Sequence, residues 1–337
     1  MALTFSEVVG HERALGALRR AFASDRLHHA HLFSGPSGIG KRTTALALAA
    51  LVNCESPVGA GEAIDSCGRC TSCIKMRAGQ HPDLTIVEPD GRFIKIAQVR
   101  SITSQTRFRP YEGKRRVFIV CEAHTMRAEA ANALLKTLEE PRGDTMFVLL
   151  TGQRHVLLTT VISRCQPLRF GPLSNDQMQR ILARRPDAEP VDESILRLAA
   201  GSVGRALELS ESSVFSDREE LCLRLTELRS GPIAAATGWA DQLSRARDDV
   251  PELLSWLRTM LRDAVILRAG AGEQRVANVD AMDTLRTLAS GRSAVELVKL
   301  SEEVDRTEAL LAGNVNVRMA LESLLIALRG TPREVRT

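Results

Sequence analysis

The chain has 337 residues, of which 44% are hydrophobic and 26% charged, and its net charge is +4; this is the balance of a soluble globular protein with two or three domains. Aromatic residues make up only 4%, so we expect no stacking platform for single-stranded nucleic acid, and the small positive charge permits DNA contact without requiring it. No apolar run approaches about 18 residues, and the amino terminus lacks a basic-then-apolar signal pattern. We therefore expect a cytoplasmic protein without a membrane span, in which a cysteine cluster binds metal rather than forming disulfides.

A glycine-rich loop between a predicted strand and a predicted helix is the first motif. Apolar residues at helical spacing over 11–22 are followed by a short apolar run at 31–33, and helical periodicity resumes at Thr43. The intervening segment, 35–41, has the spacing GxxxxGK, in which glycines let backbone amides converge on phosphates and the lysine adds charge. The predicted nucleotide-binding residues are Gly35, Gly38, Gly40, Lys41, Arg42 and Thr43.

The loop departs from its pattern at the position that holds magnesium. Ser or Thr should follow the lysine, but Arg42 stands there, and Thr43 comes one residue late. A shift of one helical position turns a side chain by about 100°, so the hydroxyl of Thr43 points away from the metal. The loop therefore looks able to hold phosphate and poorly able to hold the metal that hydrolysis needs. Two alternatives stay open: the loop binds ATP or ADP without turning it over, or Arg42 occupies the site.

Four cysteines within twenty residues form the second motif, with the spacing C-x12-C-x2-C-x2-C. Two-residue gaps let thiolates converge on one ion, and four thiolates complete a tetrahedral zinc site that leaves no position for water. Such a site stabilises a small module rather than catalysing a reaction. The predicted ligands of a structural Zn²⁺ are Cys54, Cys67, Cys70 and Cys73.

Short apolar runs alternate with helical segments through the first half of the chain, which predicts an α/β fold with a parallel sheet covered on both faces. The runs lie at 84–87, 117–120, 146–150 and 168–170. The run at 117–120 leads to Cys121 and Glu122, where a nucleotide hydrolase places Asp for magnesium and Glu for the attacking water. A thiol is a poor ligand for this hard cation, so a second magnesium ligand is altered.

The helix sequence ANALLKTLEEP at 131–141, followed by Ser163-Arg164-Cys165, carries a family resemblance. Together with the phosphate loop and the cysteine cluster, these motifs resemble the delta-prime family of clamp-loader subunits of bacterial DNA polymerase III, within the AAA+ superfamily. The resemblance implies that Arg164 acts as an arginine finger, reaching in trans into the ATP site of an adjacent subunit. Arginine suits this role because its planar, permanently charged fork binds phosphate oxygens. The alternative is an arginine that caps a helix end.

The resemblance also implies partners and an architecture. The partners are the ATPase subunits and delta in a hetero-pentamer, the sliding clamp indirectly, and primer-template DNA; the chain is then part of a DNA-directed DNA polymerase holoenzyme and not catalytic alone. Thr151 matches the first sensor, whereas the segment 201–205 has Gly204 where ATP-hydrolysing relatives carry Arg. The expected domains are an AAA+ nucleotide-binding-like domain at 1–170 with the zinc module at 54–73, a helical lid at 171–211, an all-α collar at 212–330, and a tail at 331–337.

Three functions compete on these observations. The favoured one is a clamp-loader subunit that hydrolyses no ATP itself and lends Arg164 to a neighbour. The second is a self-sufficient AAA+ motor in which Thr43 and another carboxylate replace the lost metal ligands. The third is a zinc-dependent nucleic-acid binder with a vestigial nucleotide fold, against which the few aromatic residues and the small net charge argue.

Overall fold

The structure is a computed structural model that describes residues 4–141, 143–185, 191–211, 218–246, 249–311 and 315–330. Across these ranges, no helix is both long and apolar enough to cross a bilayer. The tail expected at 331–337 lies outside the described residues. The chain divides into two compact units, one formed by residues 1–190 with 200–205 and the other by residues 191–199 with 206–337.

The elements alternate between strand and helix in the first unit and are helical in the second. The strands are β1 Ala30–Ser34, β2 Leu84–Val87, β3 Arg116–Val120, β4 Thr145–Thr151 and β5 Gln166–Arg169. The helices up to residue 211 are α1 Glu12–Ala23, α2 Lys41–Asn53, α3 Thr71–Arg77, α4 Ile96–Gln105, α5 Ala128–Glu139, α6 Thr159–Ile162, α7 Asn175–Leu182, α8 Glu193–Leu198 and α9 Val203–Glu211. Those that follow are α10 Arg218–Ser230, α11 Ile233–Arg245, α12 Val250–Arg268, α13 Met282–Ala289, α14 Ala294–Leu311 and α15 Val317–Arg329.

All five strands are parallel and lie in the order β2-β3-β4-β1-β5. The register sets Ala30 of β1 opposite Phe147 of β4, and Val117 of β3 opposite Met146. Because parallel strands need crossover connections, helices cover both faces of the sheet. The central strands β1, β3 and β4 are buried along almost their whole length, whereas β5 at the edge is mostly exposed. The predicted α/β fold with a parallel sheet is confirmed.

The two faces of the sheet belong to two different hydrophobic cores. On one face, Val117 and Ile119 pack with α1 and α2, whose buried side chains include Leu18 and Leu48. On the other face, Phe118 stacks on Phe147 with ring centroids 5.1 Å apart, and this pair packs with α4, α5 and α6. Successive residues of β3 therefore serve opposite cores, as the pleat of a strand requires.

The second unit has a core of its own, built from helices. An apolar stripe lies on α12, where Leu253, Leu257 and Leu261 are buried and Val265 packs at the margin. The buried carboxylate of Asp263, on the same helix, accepts hydrogen bonds from the backbone N–H groups of Ala277 and Asn278 at 2.9 and 2.8 Å. This carboxylate fixes the loop between α12 and α13.

A buried histidine in β1 makes the stability of the first unit depend on pH. His31 is 2% exposed, neither ring nitrogen has a hydrogen-bond partner within the described residues, and burial lowers its pKa from 6.5 to about 4. Between these values the unfolded chain binds a proton that the folded chain does not, so stability is fully present above pH 6.5 and falls as the pH drops toward 4.

We predict that His31→Leu reduces the loss of stability on acidification. The shift corresponds to about 3 kcal/mol across the whole window, at 1.36 kcal/mol per pKa unit. The measurement is the free energy of unfolding of wild type and variant in urea, at neutral pH and near pH 5. An equal loss on acidification in the two proteins would show that His31 does not carry this dependence.

Candidate nucleotide-binding edge and metal centre

The glycine-rich loop follows β1 directly and leads into α2. Gly38 and Gly40 have φ values of 70° and 102°, a left-handed conformation in which a side chain is strained. The N–H of Gly35 donates to the carbonyl of Thr151 at 3.2 Å, which joins the start of the loop to the end of β4. The helix begins at Lys41, two residues before the predicted start, so the loop ends directly at a helix N-terminus.

Lys41 lies over its own loop. Its Nζ donates to the carbonyls of Gly35 at 2.7 Å and Pro36 at 2.5 Å, and the residue is 8% exposed. Burial lowers its pKa to about 8, while the negative charge of Glu122 acts in the opposite direction. The ammonium group is therefore held at the loop, where the motif requires a positive charge.

The position that should carry a magnesium-binding hydroxyl carries an ion pair instead. The guanidinium of Arg42 donates to the carboxylate of Glu88, which follows β2, and both side chains are about half exposed. Thr43 is half-buried, and the hydroxyl of Thr44 donates to the carbonyl of Gly40 at 3.0 Å. The neighbouring threonine hydroxyl is thus used inside the helix.

The carboxyl ends of β3 and β4 bring further polar side chains to the edge of the sheet where the glycine-rich loop lies. Cys121 is buried, and its thiol pKa is raised by burial. Glu122 adopts a left-handed backbone conformation, with φ of 47°. His124 Nδ1 lies 3.3 Å from Oγ1 of the buried Thr151, and burial lowers the pKa of this histidine. No sequence pattern predicts that His124 lies next to Thr151.

The segment 201–205 lies against the loop through its backbone. The N–H of Gly204 donates to the carbonyl of Gly38 at 3.1 Å. A Cβ added at Gly204 would lie 3.0 Å from the Cα of Gly38, and one added at Gly38 would lie 2.3 Å from Oγ of Ser202. The absence of a side chain at Gly38 and Gly204 therefore allows this close approach.

His11 is a loop contact that the sequence did not predict. Its Nε2 donates to the carbonyl of Ile39 at 2.7 Å, and its ring lies 4.8 Å from that of Phe170. The residue has φ of 62° and immediately precedes α1, so a left-handed turn aims the imidazole at the loop. A lone histidine before an amphipathic helix carries no local signal for this role.

The four cysteines of the second motif converge. The Sγ atoms of Cys54, Cys67, Cys70 and Cys73 all lie within 4.8 Å of one another. Backbone N–H groups of Cys67, Cys70 and Cys73 donate to sulfur at 3.3 to 3.4 Å, as expected around thiolates. The first of the two-residue gaps is a turn, and Cys70 is the N-cap of α3.

Hydrogen bonds from backbone N–H groups lower the pKa of the thiols of Cys54, Cys67 and Cys73, whereas burial raises it. The backbone N–H of Arg69 lowers the pKa of Cys67 to about 6, whereas burial raises the pKa of Cys54 and Cys73. A metal ion supplies the positive charge that lets all of them ionise together. The donor set of four sulfurs fits one soft tetrahedral ion.

A buried carboxylate joins the cysteine module to the amino-terminal segment. Asp65 is 4% exposed and accepts hydrogen bonds from the N–H groups of Phe5 at 2.9 Å and Ser6 at 2.8 Å. The guanidinium of Arg19, on α1, lies 3.2 Å from the same carboxylate. The module therefore anchors the chain's first described turn and its first helix.

Arg164 lies just after α6, away from the core. Its guanidinium donates to the carboxylate of Glu139, at the end of α5, and to the carbonyl of Thr160 at 2.9 Å. The side chain remains 32% exposed. The bond to the carbonyl of Thr160 is a helix-end contact of the kind expected for a capping arginine, while the exposure leaves the group accessible.

The parallel sheet in this order, with a glycine-rich loop and lysine after β1 and polar residues after β3 and β4, defines a P-loop domain of the AAA+ class. The family model "DNA polymerase III, delta subunit" matches residues 10–174, and "DNA polymerase III, delta subunit, C terminal" matches residues 213–330. A solved structure of a DNA polymerase III gamma subunit-related protein from Thermotoga maritima aligns with a TM-score of 0.47 and 18% identity, covering 94% of this chain and 98% of that one.

Curated relatives match along nearly the whole chain. DNA polymerase III subunit delta′ of Bacillus subtilis is 32% identical over 322 residues, covering 94% of this chain and 95% of the relative. Subunit delta′ of Pseudomonas aeruginosa is 31% identical over 314 residues, with 90% and 92% covered. Subunit tau of Escherichia coli is 33% identical over 219 residues, covering 63% of this chain and 33% of the relative. The chain belongs to the delta-prime family of DNA polymerase III clamp-loader subunits.

We predict that the purified chain carries one metal ion bound by the four cysteines. Cys73→Ser removes a buried ligand, so elemental analysis should find the ion in wild type and not in this variant. Cys222→Ser is the matched control, because Cys222 is a thiol of the second unit outside the cluster. Equal metal content in Cys73→Ser and wild type would contradict the site.

Proposed function

We propose that the chain is the clamp-loader subunit that hydrolyses no ATP itself and supplies Arg164 in trans to the ATP site of a neighbouring ATPase subunit. The assembly is a hetero-pentamer that loads the sliding clamp onto primer-template DNA in the cytoplasm. The observation that carries the first half of the proposal is the ion pair between Arg42 and Glu88, which puts a guanidinium where hydrolysis needs an oxygen ligand for magnesium.

Two other parts of the edge support the absence of hydrolysis. Cys121 stands where a carboxylate would bind magnesium, and a buried neutral thiol does not replace it. Gly204, rather than an arginine, contacts the loop from the segment 201–205. With Arg42, these changes affect three separate elements. Each of them removes a charge or an oxygen ligand from the place where the γ-phosphate would lie.

The environment of Arg164 supports its action on another protein. Its main charged partner, Glu139, is half exposed, and ion pairs of this kind contribute about 0 to 1 kcal/mol. A phosphate with developing negative charge offers the guanidinium a stronger, bidentate partner. Thr160 and Glu139 thus hold the side chain near the surface without burying it.

The cysteine module has a structural role in this proposal, with Zn²⁺ as its ion. The module anchors residues 5 and 6 and α1 through Asp65, and no cysteine of the cluster lies at the nucleotide edge. The helices between 171 and 211 form the lid, and those between 212 and 330 the collar through which the subunits join.

A self-sufficient ATPase is the second candidate, favoured by the retention of Lys41 and Glu122. In that case Thr43 and a further carboxylate would have to bind the metal. The two candidates differ in what the isolated chain does with Mg·ATP.

We predict that the isolated chain releases no phosphate from ATP above the level of Lys41→Ala, with or without Mg²⁺. The reason is that magnesium lacks both its hydroxyl and its carboxylate ligand. The measurement is steady-state phosphate release from the purified chain. Magnesium-dependent turnover that Lys41→Ala abolishes would establish the motor instead.

We predict that Arg164→Ala lowers the rate of ATP hydrolysis at the one neighbouring site that it serves by about 10³ to 10⁵, as removal of an arginine finger does elsewhere, and so lowers the ATPase rate of the assembled loader. Clamp loading should fall with it, and assembly measured by gel filtration should be unchanged. Arg197→Ala is the matched control, since Arg197 has the same 32% exposure and also pairs with a glutamate. A loader that carries Arg164→Ala and hydrolyses ATP at the wild-type rate would refute the in-trans role.

A further inference from the structure

Arg42 places a permanent positive charge beside the phosphate loop. It is the second residue of α2, its side chain is 48% exposed, and its guanidinium donates to Glu88 at the end of β2. Burial raises the pKa of the thiol of Cys121, which follows β3, and the positive charge of Arg42 acts in the opposite direction. The guanidinium therefore lies along the edge where β2 and β3 end.

These residues do not fit a magnesium ion. Mg²⁺ requires near-octahedral oxygen coordination, whereas this edge offers a guanidinium and a buried thiol in the two positions where oxygen is needed. The carboxylate of Glu88 is already paired with Arg42. A divalent cation at this place would also be repelled by the fixed charge of the arginine.

The loop nevertheless keeps the groups that bind phosphate. Within the described ranges, neither a carbonyl nor a side chain accepts a hydrogen bond from the backbone N–H groups of residues 38 to 43. These groups lie at a helix N-terminus, which favours anions. Among the described residues, the buried ammonium of Lys41 donates to two carbonyls of the loop, which a phosphate can replace.

We propose that this loop binds a nucleoside di- or triphosphate as the metal-free anion, and that Arg42 with Lys41 supplies the charge that magnesium supplies in hydrolysing relatives. The proposal rests on the proposed function, in which no hydrolysis takes place at this loop. Arg42 leaves Glu88 for the phosphates at little cost, because a half-exposed ion pair contributes about 0 to 1 kcal/mol. Its planar fork then binds two phosphate oxygens.

The test is titration of the full chain with fluorescently labelled ADP and ATP, in Mg²⁺ and in EDTA. Wild type should bind in EDTA with a Kd within about twofold of its value in Mg²⁺. Arg42→Thr, which restores the hydroxyl, should bind about tenfold or more weakly in EDTA and regain affinity in Mg²⁺. Arg20→Thr, which breaks a similarly exposed ion pair with Glu62, should behave as wild type.

Three results would overturn the inference. They are no saturable binding by wild type in either buffer, about a tenfold gain in wild-type affinity on adding Mg²⁺, or binding that survives Lys41→Ala and so occurs elsewhere. If Arg42→Thr does not fold, Arg42→Gln tests the same loss of charge in EDTA. Absence of binding would leave the role of Arg164 standing, whereas magnesium-dependent phosphate release would overturn the proposed function itself.

Discussion

The common direction of the five strands is the constraint from which the candidate site follows. Since all strands are parallel, their carboxyl ends lie at one edge of the sheet, and whatever follows each strand is gathered there. β1 contributes the phosphate loop, β2 contributes Glu88, β3 contributes Cys121 and Glu122, and β4 ends at Thr151. Crossover helices cover both faces of the sheet, and the central strands β1, β3 and β4 are buried between two cores.

This edge of the sheet has the groups that bind an anion and lacks two of the oxygen ligands that bind a metal. Lys41, the helix N-terminus and the glycines serve an anion, whereas the oxygen ligands of a metal have been replaced by a guanidinium and a thiol. Arg42 and Arg164 are each held by one glutamate at the surface. Neither side chain is fully buried, and the proposed roles of both arginines require that each exchange its glutamate for phosphate oxygens.

The local sequence pattern was sufficient to predict the strands and to find the phosphate loop and the cysteine cluster. Apolar runs of three to five residues predicted the strands, and the spacing of the cysteines predicted that they converge. The last strand was placed two residues late, since Pro167 lies inside it and proline is tolerated only on an edge strand such as β5. The expected roles of the loop residues and of Arg164, and the boundaries of lid and collar, stay predictions.

Pairings across long stretches of chain could not be predicted. Arg42 and Glu88 are 46 residues apart, His11 and Ile39 are 28 apart, and Asp65 lies 60 residues from Phe5. None of these contacts has a periodicity or spacing, because each depends on how two strands or loops meet after the sheet has formed. The contact of Gly204 with Gly38 is of the same kind, and only the absence of arginine at 204 was visible beforehand.

The carboxylate of Asp65 has a consequence for how this protein is made. Phe5 and Ser6 leave the ribosome before Asp65, so the group that holds their backbone is synthesised some sixty residues after them, two residues before Cys67. These two hydrogen bonds can therefore form only after the segment that carries Asp65 has emerged from the ribosome.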